Sequence, residues 1–597
     1  MKKRTVCLLI LISIVLSACV YFSAPRGKKM LPPALVEEDT MSEMDQAFYA
    51  AIGNRTYRPA PDTADFGAFL AAAFAKTQND FETSAALYAK ALEQDPESPD
   101  LLANTFLMYV LSGNVPAAVP YAAREVNQNP GNILPRLVLF SDLIAQKQFE
   151  EARGVLNEQR AYMQSELFEA SLFPLMEAWT YVGENNQKKA LAALAPLLKV
   201  KGLEGYYYLH EGLILDYFGE NAKASAAYDR LMQSEDGQSV RSMLVVYDFY
   251  RRTNQLQNRP DFVKLYEAMQ NASFVSKDMM TNPREKYRAL SAADGLSMVY
   301  FDIGSLVSQV ESYETALYLI QLALYLNPGS SINKLFLGEV LDAMDQQEMA
   351  NAVYRSVTPD KDLYRSMQLR LIMSLQKTGH LTEAQKELAR LIEEYPGIPI
   401  YYMTQGDLYR EMQNYPQAII SYQKALETFR LKEDPQASVL YFNLAVCYEQ
   451  TDQLDKTDEL LQKAVSLDPK NPIYLNYLGY TWVERGKNLP QALAMIQTAV
   501  EQVPDDGNLL DSLGWAHYMM GNYEKALPVM EKAVEKEAGN AIINEHLGDI
   551  YWRLGRYRDA RFQWAHARSL KQHNTDRLKA RIDEKIKNGL PPVTESH

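Results

Sequence analysis

Residues 331–357 read SINKLFLGEVLDAMDQQEMANAVYRSV, and four positions in that stretch decide the fold: Gly338, Ala350, Tyr354 and Val357. One 34-residue step earlier the same places hold Gly304, Ala316, Ile320 and Ala323. One and two steps later they hold Ile372, Ala384, Leu388 and Leu391, then Gly406, Ala418, Tyr422 and Ala425. A fixed period of this length marks stacked helical units, none of which can bury its apolar face alone. The plainer alternative is a helical bundle with accidental regularity. Three consecutive intervals of 34 residues, followed after one insertion by 34, 35 and 34, leave little room for it.

The later copies are sharper. They are Leu478-Gly479, Trp482, Ala492, Ile496, Ala499, Pro504; Leu513-Gly514, Ala526, Met530, Ala533; and Leu547-Gly548, Tyr551, Ala560, Trp564, Ala567. This pattern resembles the tetratricopeptide repeat. The resemblance implies an all-α chain, an α-solenoid wound as a right-handed superhelix of about fourteen helix-turn-helix units. Small residues are expected where the helix backbones approach most closely, and large ones in the gap to the neighbouring unit.

Extending the frame places unit starts near 65, 99, 133, 171, 205, 239, 297, 331, 365, 399, 438, 472, 507 and 541. The pattern is weakest at 133 and 239 and lapses near 250–296, where Pro260 and Pro283 break it. The expected organisation is an N-terminal array over 65–250, a degenerate helical connector or hinge over 251–296, and a C-terminal array over 297–574. A capping helix and tail occupy 575–597. Thr575 and Asp576 can cap a helix whose stripe is Leu578, Ile582 and Ile586, stopped by Gly589 and Pro591.

The chain opens Met1-Lys2-Lys3-Arg4, runs apolar from Val6 to Leu16, and continues Ser17-Ala18-Cys19. A basic start with a short apolar run reads as a secretory signal. Its last four residues resemble the bacterial lipobox, which implies removal of residues 1–18 and acylation of Cys19. An uncleaved signal anchor is the alternative. Several acyl chains give stable membrane attachment where one is marginal. Val20, in place of an Asp, implies by the sorting pattern of enteric bacteria the periplasmic face of the outer membrane, with the inner membrane second. Residues 19–64 then form a tether rich in Pro and Gly with a short helix near Met41–Ile52.

Loss of the leader removes three basic and no acidic side chains, taking the net charge from −14 to −17. An acidic chain is a poor nucleic-acid partner. The charge is uneven: Arg553–Lys587 holds eleven Lys or Arg against four acids, so the capping helix is also a candidate docking patch. Cys447 lies in a first helix, where a small packed apolar role is expected before a redox one.

Chemistry finds no foothold. The seven histidines lack metal-site spacing, and His210-Glu211 has no second histidine to complete a zinc motif. Glycines occupy the repeat position and form no phosphate loop. The expectation is no catalytic residue, no metal and no cofactor.

In this class of repeat, first-helix positions 2, 5, 6, 9, 12 and 13 face a concave groove. By that resemblance the candidate partner-binding residues are Asn443, Asn476, Tyr480, Asp511, Trp515, Glu545, Asp549 and Trp552. Aromatics beside polar groups make binding anchors. With carboxylates where a carboxylate-binding groove needs lysines, a basic or neutral polypeptide segment fits better than an acidic C-terminus. The expected function is a lipid-anchored periplasmic scaffold for protein partners in envelope assembly, peptidoglycan-enzyme recruitment or secretion. The alternative is a glycan-binding module supporting polysaccharide export.

Overall fold

A computed structural model of the chain describes residues 66–162, 166–234, 239–260, 262–264, 286–428, 437–571 and 575–592. The leader, Cys19, the tether and the expected helix near Met41–Ile52 lie outside the described residues, as do residues 265–285 of the expected connector. Among the described residues, all regular structure is helical and no helix is long and apolar enough to cross a membrane. The chain divides into two compact units, residues 1–391 and 392–597.

In the second unit the helices run in consecutive pairs: Pro399–Glu411 with Tyr415–Thr428, Ser438–Gln450 with Leu454–Leu467, and Pro472–Glu484 with Leu489–Gln502. Gly507–Met519 with Tyr523–Lys536, and Ala541–Arg553 with Tyr557–Ser569, complete the stack. Local chemistry sets both ends of the first helices. Asn471, Asp506 and Asn540 each accept backbone N–H groups of the opening turn on a side-chain oxygen. The turn into the second helix requires one left-handed residue, supplied by Gly521 at φ 77° and Gly555 at φ 75°, and by Asp452 at φ 59°.

Each pair is locked by its small and large residues. A Cβ placed on Gly338 would lie 2.2 Å from the Tyr354 ring, and one on Gly406 would lie 2.5 Å from Tyr422. The spacing assigned the large residues to the gap between neighbouring units. Instead, Tyr354 and Tyr422 each lie over the glycine of their own unit. The two backbones come closest there, and close packing leaves no volume for both a ring and a Cβ.

The first unit holds an arrangement that the repeat pattern did not announce. The helices Pro99–Leu111, Ile133–Ala145 and Glu166–Gly183 turn apolar side chains such as Leu107, Leu137 and Met176 toward the face that elsewhere lines the groove, and all three are buried. The chain itself covers that face. Helices Ala292–Ser308 and Tyr313–Leu326 pack against these first helices. The Tyr318 hydroxyl donates to the Leu134 carbonyl at 2.6 Å, Gln321 Nε2 to the Leu111 carbonyl at 3.1 Å, and the Tyr325 hydroxyl to Asp142 at 2.7 Å.

A buried polar relay fixes this packing. Trp179 Nε1 donates to His210 Nδ1 at 3.1 Å, so the ring proton sits on Nε2, which donates to Asp302 at 3.0 Å. Arg241 grips the other side of Asp302, with Nε–Oδ1 at 2.9 Å. Burial, above all, pushes His210 below its ordinary pKa and keeps it neutral. Burial would raise Asp302, but Arg241 and His210 together outweigh it and hold the carboxyl below its usual range. His210, which the sequence offers only as half of a zinc motif, is part of the packing.

Candidate partner-binding groove

In the second unit, successive first helices bring the candidate residues onto one polar seam, paired from one repeat to the next. Asn443 Nδ2 reaches Asp407 at 3.5 Å, and Asp407 accepts the Tyr422 hydroxyl at 2.6 Å. Burial lifts the Asp407 pKa despite Tyr422 and Arg410 beside it. Asn476 is half-buried, and its Oδ1 has no hydrogen-bond partner among the described residues.

Around Asn476 the next candidates gather. The Tyr480 hydroxyl bonds Glu484, and burial first, then Glu484 and Asp511, pushes it well above its ordinary pKa. Trp515 Nε1 donates to the same Glu484 at 2.5 Å. The indole stacks on Tyr518 at 4.5 Å and on His546 at 4.0 Å. His546 Nδ1 in turn meets Asp511 at 2.8 Å. Burial opposes charge on this histidine, but the carboxylates of Asp511, Glu545 and Asp549 outweigh it and raise its pKa.

Glu545, Asp549 and Trp552 gather instead beneath the last helix, Asp576–Asn588. Thr575 caps that helix by accepting from Leu578 N at 3.2 Å, and Gly589 ends it at φ 71°. Glu545 is fully buried and pairs with both Arg581 and Lys585. Burial would raise its pKa, yet those two cations hold it below the usual range. Asp549 accepts Trp564 Nε1 at 2.9 Å and Lys585 Nζ at 2.6 Å. Here burial prevails over Lys585 and the carboxyl is raised. Trp552 stacks on Trp564 at 5.4 Å, lies under the Arg561 guanidinium, and covers Gly589.

Three further residues complete the site beyond the eight candidates. Glu484, at the end of its helix, joins Tyr480 to Trp515. Arg581 and Lys585 stand 36 positions beyond Glu545 and Asp549, about one repeat, so the last helix takes the place of another unit's first helix. Opposite charges one period apart were the available signal. Cys447 is buried, and burial pushes its thiol up to about 11 against the nearby Arg410, leaving it protonated.

Stacked helix pairs presenting a polar seam define the class: an α-helical repeat protein, a scaffold for protein–protein interaction. Models of the tetratricopeptide repeat match residues 70–133, 366–397, 398–470 and 512–568. The chain is a tetratricopeptide-repeat protein. It is 29% identical over 187 residues to the TPR repeat-containing protein PA4667 of Pseudomonas aeruginosa, which covers 31% of each chain. Identity to the human protein O-mannosyl-transferase TMTC1 is 26% over 219 residues, covering 36% of this chain and 24% of that protein. The chain thus spans less than a third of the length of either curated relative. Among solved structures, that of the APC/C hetero-tetramer Cut9–Hcn1 aligns over 93% of this chain and 99% of its own, at 14% identity and a TM-score of 0.37.

Proposed function

We propose that this chain is a non-catalytic scaffold, tethered through acylated Cys19 to the periplasmic face of the outer membrane, whose second unit grips a polypeptide segment. Its partners belong to envelope assembly, recruitment of peptidoglycan enzymes or secretion. The anchoring half of this reading rests on the Leu16–Cys19 ending of the leader. The binding half rests on one observation: Asn476, with an unpaired buried Oδ1, stands one turn before Tyr480 on the helix whose Glu484 accepts from both Tyr480 and Trp515. Such a surface calls for N–H donors, which a peptide backbone or basic side chain supplies.

A glycan platform needs an aromatic face open for stacking. Trp515 already stacks on Tyr518 and His546, and Trp552 on Trp564, which favours the polypeptide over the sugar.

Co-purification from envelope membranes tests the binding half. A chain with Asn476→Ala and Trp515→Ala should lose the proteins retained by the native chain; unchanged retention would sink the groove reading. Labelled palmitate tests the anchor: incorporation should vanish with Cys19→Ser, and persistence of label would rule out that site.

A further inference from the structure

The last helix carries two kinds of residue. Leu578 and Ile582 pack against Trp564 and Ala541 and close the final repeat. Arg581 points elsewhere: Nε donates to Glu545 Oε1 at 2.7 Å and Nη2 pairs with the other oxygen. Lys585 reaches the same carboxylate at 2.8 Å. The two cations differ in enclosure, since Arg581 is 55% exposed and Lys585 15%. Stripping a buried carboxylate of its partner is costly. Glu545 escapes that cost if Arg581 leaves, because Lys585 stays. Arg581 also lies within electrostatic reach of Glu484 and of the Tyr480 hydroxyl, the centre of the candidate groove. A guanidinium suits such a place, being a planar fork for carboxylates that also stacks on aromatic rings.

We propose that Arg581 is a displaceable internal ligand of the groove, holding the Glu545–Glu484 side in the free protein and yielding to an arginine on the partner segment. This deepens the polypeptide reading above and rests on it, naming the partner as a cationic, arginine-bearing segment. The carboxylates of Glu484 and Glu545 attract such a segment locally.

Fluorescence anisotropy on the full chain tests it, with a fluorescein-labelled peptide Gly-Ser-Arg-Ala-Arg-Ser-Gly and its citrulline counterpart as probes. Removing an internal competitor raises apparent affinity by the reciprocal of the fraction of sites it leaves free. With Arg581 seated in roughly four-fifths to nine-tenths of chains, Arg581→Gln should therefore bind the arginine peptide about five- to tenfold more tightly than the native chain. Arg581→Lys, which keeps the charge but not the fork, should gain less. Adding Glu484→Gln to Arg581→Gln should abolish the gain, and the citrulline peptide should be indifferent. Equal affinity of Arg581→Gln and the native chain, with Trp515→Ala weakened, would overturn displacement alone. An equal gain for the citrulline peptide would overturn the arginine assignment. Failure of every chain to bind would overturn the groove reading and this one with it.

Discussion

The Trp564 indole occupies the space that a side chain on Gly548 would need: a Cβ there would lie 2.3 Å from Cδ1 of the ring. The glycine is therefore required by its neighbour's volume, whereas Gly555, seven residues on, has nothing within 4 Å and is required by its φ of 75°. Gly548→Ala overpacks the pair and should cost about 1–3 kcal/mol. Gly555→Ala pays only for left-handed backbone, about 1 kcal/mol. Urea midpoints should rank the two in that order, and the reverse order would contradict the packing account.

Lys585 serves two buried carboxylates at once, Glu545 and Asp549. Lys585→Met leaves Asp549 without its cation. Breaking a buried pair from one side costs about 3–5 kcal/mol. Thermal unfolding followed by circular dichroism should show a large loss for Lys585→Met and a small one for Arg581→Gln, whose carboxylate keeps a second partner. Equal losses would mean that both cations are structural.

In the first unit, Asp302→Asn should destabilise strongly, by about 3–5 kcal/mol, because Arg241 is left buried opposite a neutral group. Replacing the pair together, Arg241→Met with Asp302→Leu, should recover much of that loss. A double variant no better than the single one would show that the relay acts through more than charge pairing.

His546 gives the second unit a pH dependence. Its pKa in the folded chain lies above the ordinary 6.5. A raised base binds its proton more tightly when folded, so its contribution is complete below about 6.5 and is lost as pH rises through the raised value. Urea midpoints should fall between pH 6 and pH 9, and His546→Gln should fall less. An equal fall in both would remove His546 from the account.

Much of this was legible in the sequence because the period acts at every level. Gly338 and Tyr354 share one unit and one helix pair, so spacing alone brings them together. Tyr318 and Leu134 stand far apart in the chain, and no periodicity tells which first helices the pair 292–326 will cover. The apolar character of Leu107, Leu137 and Met176 on groove-facing positions was the trace of that burial. In the candidate site, position within the repeat brought Tyr480, Asp511 and Trp515 onto one seam. It could not tell that Glu545 and Asp549 face Arg581 and Lys585, since the last helix lacks the small-large pattern that defines a unit.

The most direct measurement places a photo-crosslinking benzoylphenylalanine at Tyr480 in the full chain, irradiated in intact cells. The same probe at Ile420, which is 57% exposed on a second helix, serves as the control. The account predicts protease-sensitive adducts of defined mass from position 480 and none from 420. Adducts from 420 alone, or protease-resistant adducts from 480, would contradict a polypeptide held in this groove.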